Sequence, residues 1–184
     1  MCAEFIYGRA KVKGLREELE KELFAHLGKP GWDEIGILLL AIHSEQTQNE
    51  GHLKVLGWLD TSNVSQAEFL VQAITGNELS FTDAERKAWL PLAIASCLVY
   101  PNRSFAKSLT RLDDKVRDHG IHLMSRLFTT RNDEQLWNIL RDEIEKHPPP
   151  GVVLENDSLL SDLQHRWLTP PDDHDWPVLF NPTE

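Results

Sequence analysis

Cysteine is scarce: only Cys2 and Cys97 occur in 184 residues. One lies near the N-terminus and one in an apolar run, which excludes a disulfide framework and fits a reducing compartment. No long hydrophobic run is present either. The most apolar stretch, Trp89 to Tyr100, contains Pro91 and falls short of the roughly 20 residues a membrane span needs. It suits a buried core helix. Met1 to Gly14 lacks a basic region leading into a long apolar one, so no secretory signal is expected and a cytoplasmic location is. Basic charge is also short, with 19 Lys and Arg against 29 Asp and Glu and a formal net charge of -10. That balance opposes approach to phosphate and argues against a general nucleic-acid binder. A Gly-x-Ser-x-Gly elbow and a glycine-rich phosphate loop are both missing. The sequence therefore assigns no catalytic residue, no cofactor and no metal.

What is present is ordinary for a globular protein, with 41% hydrophobic and 26% charged residues. A domain of this length buries well over half of its unfolded surface and folds without a metal or a disulfide. Leu15, Leu19, Leu23 and Leu27 recur every four residues and predict a helix ended by Gly28 and Pro30. A second helix opens at Asp33 and covers Ile35 to Ile42. Gly51 interrupts it, and His52 to Asp60 predicts a further turn. Ser65 and Glu68 read as a capping box with Val64 and Phe69 as its staple, and Gly76 stops that helix. Thr82 and Glu85 form a second box, opening an apolar helix that Pro91 is predicted to kink or divide.

Phe105, Leu109, Leu112, Val116, Gly120, Leu123 and Leu127 keep helical spacing. They predict one long helix from near Arg103, with Gly120 on its inward face. Asn132 and Gln135 open the next, which turns Leu136, Trp137, Leu140 and Ile144 inward and ends at His147 and Pro148 to Pro150. Ser158 to Leu168 predicts the last. The fold class is all-α, a single compact helical domain of six or seven helices over 1–168. An acidic, proline-rich tail over 169–184 is expected to dock on it.

Charge is unevenly spread. Met1 to Asn132 carries 16 Lys and Arg against 17 Asp and Glu, whereas Asp133 to Glu184 carries 3 against 12. The last segment pairs Asp172, Asp173 and Asp175 with Trp176, an aromatic anchor among acids. Arg103, Lys107, Arg111 and Lys115 follow one another at i+4 and would form a positive stripe on a helix. These eight residues are the candidates for tail docking or partner binding. His43, Glu45, Glu50 and His52 lack the i, i+3 or i, i+4 ligand spacing of a helical metal site. His174-Asp175 sits between prolines rather than in a helical core. Cys97 reads as a core residue of little reactivity.

Three functions follow from this pattern. The favoured one is a non-enzymatic protein-binding module, an acidic inhibitor or immunity-type protein that covers a partner's basic surface without membrane or nucleic acid. Its support is electrostatic steering by a concentrated negative region. The second is an enzyme whose site is dispersed in sequence. That reading expects three or more of His26, His43, His52, His119 and His122 to converge on one pocket. The third is a regulatory nucleic-acid binder using the Arg103–Lys115 stripe, with the acidic C-terminus as an internal mimic.

Overall fold

A computed structural model describes residues 26, 31–46, 51–57, 59, 63–76, 78–100, 109–130, 132–150 and 158–169. All regular structure among them is helical. In chain order the helices are α1 (Asp33–Gln46), α2 (Gly51–Leu56), α3 (Val64–Thr75), α4 (Asp83–Val99), α5 (Asp114–Thr129), α6 (Asp133–Lys146) and α7 (Ser158–Leu168). The expected helix over Leu15 to Leu27 and the tail over 169–184 lie outside the described residues, except for His26 and Thr169.

The apolar run around Trp89 becomes the hub. The helices α3, α5, α6 and α7 all pack against α4, while α1 packs on α2. Helix α4 is buried on every side, from Arg86 through Trp89, Leu92 and Ala95 to Val99. Continuous hydrophobicity without a polar face is what an enclosed helix requires. The capping box at its start is formed as the sequence predicts. Thr82 Oγ1 accepts from the Glu85 amide at 3.2 Å, and Glu85 Oε2 accepts from the Thr82 amide at 2.7 Å. Pro91 does not divide the helix, which runs unbroken for 17 residues. A proline withholds one backbone donor and crowds the preceding turn. Here packing on all sides of α4 opposes that local cost. No described helix is long and apolar enough to cross a membrane.

Two helix starts differ from the sequence reading. Helix α3 is capped by Asn63, whose side-chain oxygen accepts from the Ser65 and Gln66 amides at 3.0 and 3.4 Å. The expected Ser65–Glu68 box and its staple do not form. Val64, as the first helical residue, is exposed while Phe69 is wholly buried. Asparagine caps as well as serine, and Asn63 stands two residues before Ser65, immediately ahead of the first helical residue.

The long helix expected from Arg103 is not continuous either. Leu109 and Leu112 are joined by a turn, and Asp113 is extended with ψ 146°. The Asp113 carbonyl accepts from the Val116 and Arg117 amides, so α5 begins afresh at Asp114. Aspartate favours this cap conformation. Leu109 and Leu112 are nonetheless buried together with Val116, Leu123 and Leu127. The apolar spacing therefore marked the right residues on two different segments.

Gly120 lies inward as expected. A Cβ there would stand 3.0 Å from Leu90 Cδ2 on α4 and 3.5 Å from Leu109 Cδ2. The turn between α3 and α4 is held by a residue the sequence reading passed over. The buried Arg86 guanidinium donates to the carbonyls of Ile74, Gly76 and Leu79 and stacks 5.2 Å from the Phe81 ring centroid.

Candidate functional site

Of the eight candidates from the sequence, Arg103, Lys107, Asp172, Asp173, Asp175 and Trp176 lie outside the described residues. Arg111 and Lys115 are both exposed. The turn at Leu112 and Asp113 separates them, so they do not share one helical ridge. Arg117 is the cation that takes the nearby acids, at 2.6 Å from Asp114 and 3.9 Å from Asp118.

The described part of the acidic C-terminal third is α6 and its neighbours. Leu136, Trp137, Leu140 and Ile144 of α6 face the core, as their spacing predicts. Glu134, Asp142 and Glu145 are consequently turned outward and exposed, and Asp133 is exposed at the helix start. Asn132 caps the helix by accepting from the Glu134 amide at 2.8 Å. Asp133 and Glu134 in the first turn also suit the positive end of the helix dipole. Arg141 is drawn inward, bonding Asn138 at 2.9 Å and Gln164 of α7 at 3.2 Å. The outer surface of α6 carries the exposed Glu134, Asp142, Glu145 and Lys146 with the half-buried Arg141 among them, and Asp133 adds a further exposed acid at the first turn.

One acid of α6 points the other way. Glu143 is buried, and its carboxylate takes Arg126 of α5 at 3.2 Å and faces His119 Nε2 at 3.6 Å. The second distance is beyond hydrogen-bond reach, and His119 Nε2 has no hydrogen-bond partner. The His147 ring stands perpendicular to that of His119, with centroids 6.3 Å apart. Burial lowers the pKa of His119. Glu143 opposes that shift, while Lys87, His147 and His122 reinforce it. Glu143 sits seven residues after Leu136 and three after Leu140, on their face. An acid at an apolar position was the available signal for this cluster, and the sequence reading did not take it.

The other histidines gather elsewhere. Ser44 Oγ and His52 Nδ1 share a hydrogen bond of 2.7 Å between α1 and α2. His52 is wholly buried, with its ring perpendicular to Phe81 at 4.6 Å and its Nε2 unpartnered. Burial lowers its pKa, Glu85 raises it, and His43 and Arg86 lower it further. A hydroxyl beside an imidazole is the arrangement of an activated nucleophile. Ser44 is 2% and His52 0% exposed, so the pair is enclosed in this structure. His43 and His52 thus lie in one neighbourhood and His119, His122 and His147 in another, while the His26 ring stands 4.8 Å from that of Trp32. Among the described residues no group of three or more His, Cys, Asp or Glu is arranged to hold a metal ion. Cys97 is buried and burial raises its pKa, which fits the core role read from the sequence.

No family model, no curated protein and no solved structure matches the chain.

Proposed function

We propose that this protein is a non-enzymatic protein-binding module of the cytoplasm. It acts as an acidic inhibitor or immunity-type protein, covering a basic surface on its partner. The observation that carries this reading is the outer face of α6. Glu134, Asp142 and Glu145 are exposed there, with Asp133 at the first turn, on a helix whose other side is fixed in the core. A rigid scaffold bearing like charges raises the encounter rate with an opposite surface and loses that advantage in salt. The acids beyond α6, including Asp172, Asp173 and Asp175 beside Trp176, extend the same charge.

The test compares the parent chain with two variants. One is Asp133→Asn, Glu134→Gln, Asp142→Asn, Glu145→Gln; the other is Asp172→Asn, Asp173→Asn, Asp175→Asn. Each tagged chain is used to capture partners from native lysate, and the association rate of any captured protein is measured from low to high salt. The expected result is a basic partner whose association with the parent slows as salt rises and slows again with the α6 variant. Equal association rates for the parent and both variants would overturn the reading. Loss of thermal stability in the tail variant alone would instead show that the tail docks on the domain.

A further inference from the structure

We propose that the outer face of α1 is the seat of the chain's own N-terminal segment, which folds back from His26 as an amphipathic helix over residues 15–27 and completes a helical hairpin. The inference stands apart from the identity of any partner. Its basis is a helix that is apolar on both sides. Ile37 and Leu40 of α1 are buried in the core, and α2 meets α1 through Ser44 on that same buried side. On the opposite side Ile35, Leu38 and Ile42 follow one another at three and four residues and form a second apolar ridge. Leu38 is 53% and Ile35 37% exposed, and Ile42 is half-buried. A helix without a polar side is ordinarily enclosed all round, as α4 is. A contiguous apolar ridge of this kind marks a surface that another element covers.

The chain outside the described residues supplies the occupant. Residues 1–25 precede His26, and Leu15, Leu19, Leu23 and Leu27 recur every four positions among charged residues. Such a stripe gains little helical stability in water until its apolar side is covered. The described turn delivers it to α1. The His26 ring stands 4.8 Å from the Trp32 ring. Gly31 takes φ 81°, a left-handed conformation open to glycine at little steric cost. The Trp32 carbonyl then accepts from the Gly36 amide at 2.6 Å as α1 begins. The chain thus enters α1 from a residue already held against its head, and a short connection of this kind joins antiparallel neighbours. Leu23 and Leu38 lie at near-equal distances in sequence from Pro30, so an antiparallel partner sets them level. Arg16 then falls level with Glu45, an exposed acid on the Leu38 side of α1. Charge opposes a second copy in the same place. Glu34 and Glu45 are exposed along the line of Leu38, about one turn before it and about two turns after. Two such faces from a chain of net charge -10 would bring like charges together.

The experiment places a thiol on the ridge of the full chain, Leu38→Cys in a Cys2→Ser background, Cys97 being buried. Its labelling rate with a maleimide, divided by the rate in the denatured chain, is compared with that of Ser125→Cys at an exposed position of α5. The thiol at position 38 should react at least about tenfold slower, the ratio expected of an opening equilibrium at the low end of local stability. Adding Leu19→Glu and Leu23→Glu should raise its rate to that at position 125. Protection should be equal at low and high protein concentration, with the chain monomeric. The proposal is overturned if position 38 reacts as fast as position 125, or if the folded chain carrying both glutamates keeps the protection. It is equally overturned if protection appears only where the chain dimerises, which would make a second copy the occupant. If the chain carrying both glutamates does not fold, the pair Leu23→Cys, Leu38→Cys decides. A short bifunctional thiol reagent should join the two positions within one chain, and failure to join them rejects the hairpin.

Discussion

At the scale of single residues, three buried polar groups organise joints between helices. Arg86 serves the turn before α4, His52 ties α2 to Ser44, and Glu143 bridges α5 and α6. Each is buried, so its value lies less in the bonds made than in the unpaired partners its loss would leave. Arg86 offers the sharpest test, because its guanidinium donates to the carbonyls of Ile74, Gly76 and Leu79. Methionine fills similar space and donates nothing. Arg86→Met should therefore lower stability by about 1.5–3 kcal/mol, the range for hydrogen bonds to a charged group. Chemical denaturation read by far-UV circular dichroism checks this, and an unchanged midpoint would mean that the carbonyls find water instead. A lone arginine in the sequence A-E-R-K-A-W carries no mark that it turns inward. Only the folded turn brings three carbonyls around it.

At the scale of elements, the helix periods identified which residues are buried better than they identified where helices begin. The apolar positions of α6 and the bounds of α7 agree with the sequence reading because both helices are amphipathic and end at strong breakers. Starts at Asn63 and Asp114 were missed. Several capping residues compete within a few positions there, and the choice depends on which backbone amides the fold exposes. Gly120 tests the packing of α5 on α4. Its missing side chain lets α5 approach Leu90, which a Cβ would meet at 3.0 Å. Gly120→Leu should destabilise by about 1–3 kcal/mol through overpacking. At this chain length that lowers the melting temperature by about 2–4 °C per kcal/mol. A melting temperature equal to the parent's would show that α4 and α5 separate without cost.

At the scale of the molecule, acid should weaken the fold before it neutralises the carboxylates. Burial lowers the pKa of both His52 and His119 in the folded chain. The unfolded chain takes these protons first, near the ordinary histidine value of about 6.5. The stability due to keeping the rings neutral is thus present above that pH and lost as pH falls toward the folded values. The melting temperature should drop between pH 7.5 and pH 5.0, and His52→Gln should show a smaller drop than the parent. A His52→Gln protein with the same pH dependence as the parent would remove His52 from this account.

Composition and hydrophobic spacing were enough to determine the all-α class, the enclosed helix around Trp89 and the inward face of α6, because burial of apolar surface is set by periodicity along one segment. The clustering of Glu143 with His119 and Arg126, and of Ser44 with His52, was decided only by tertiary structure. Those partners are 24, 17 and 8 positions apart. No local rule links side chains at such separations; they meet because α5 and α6 share α4 as a base, and because α2 folds back on α1. For the acids of α6, the helical period already separates Glu134, Asp142 and Glu145 from Glu143, and tertiary structure decided which groups Glu143 meets.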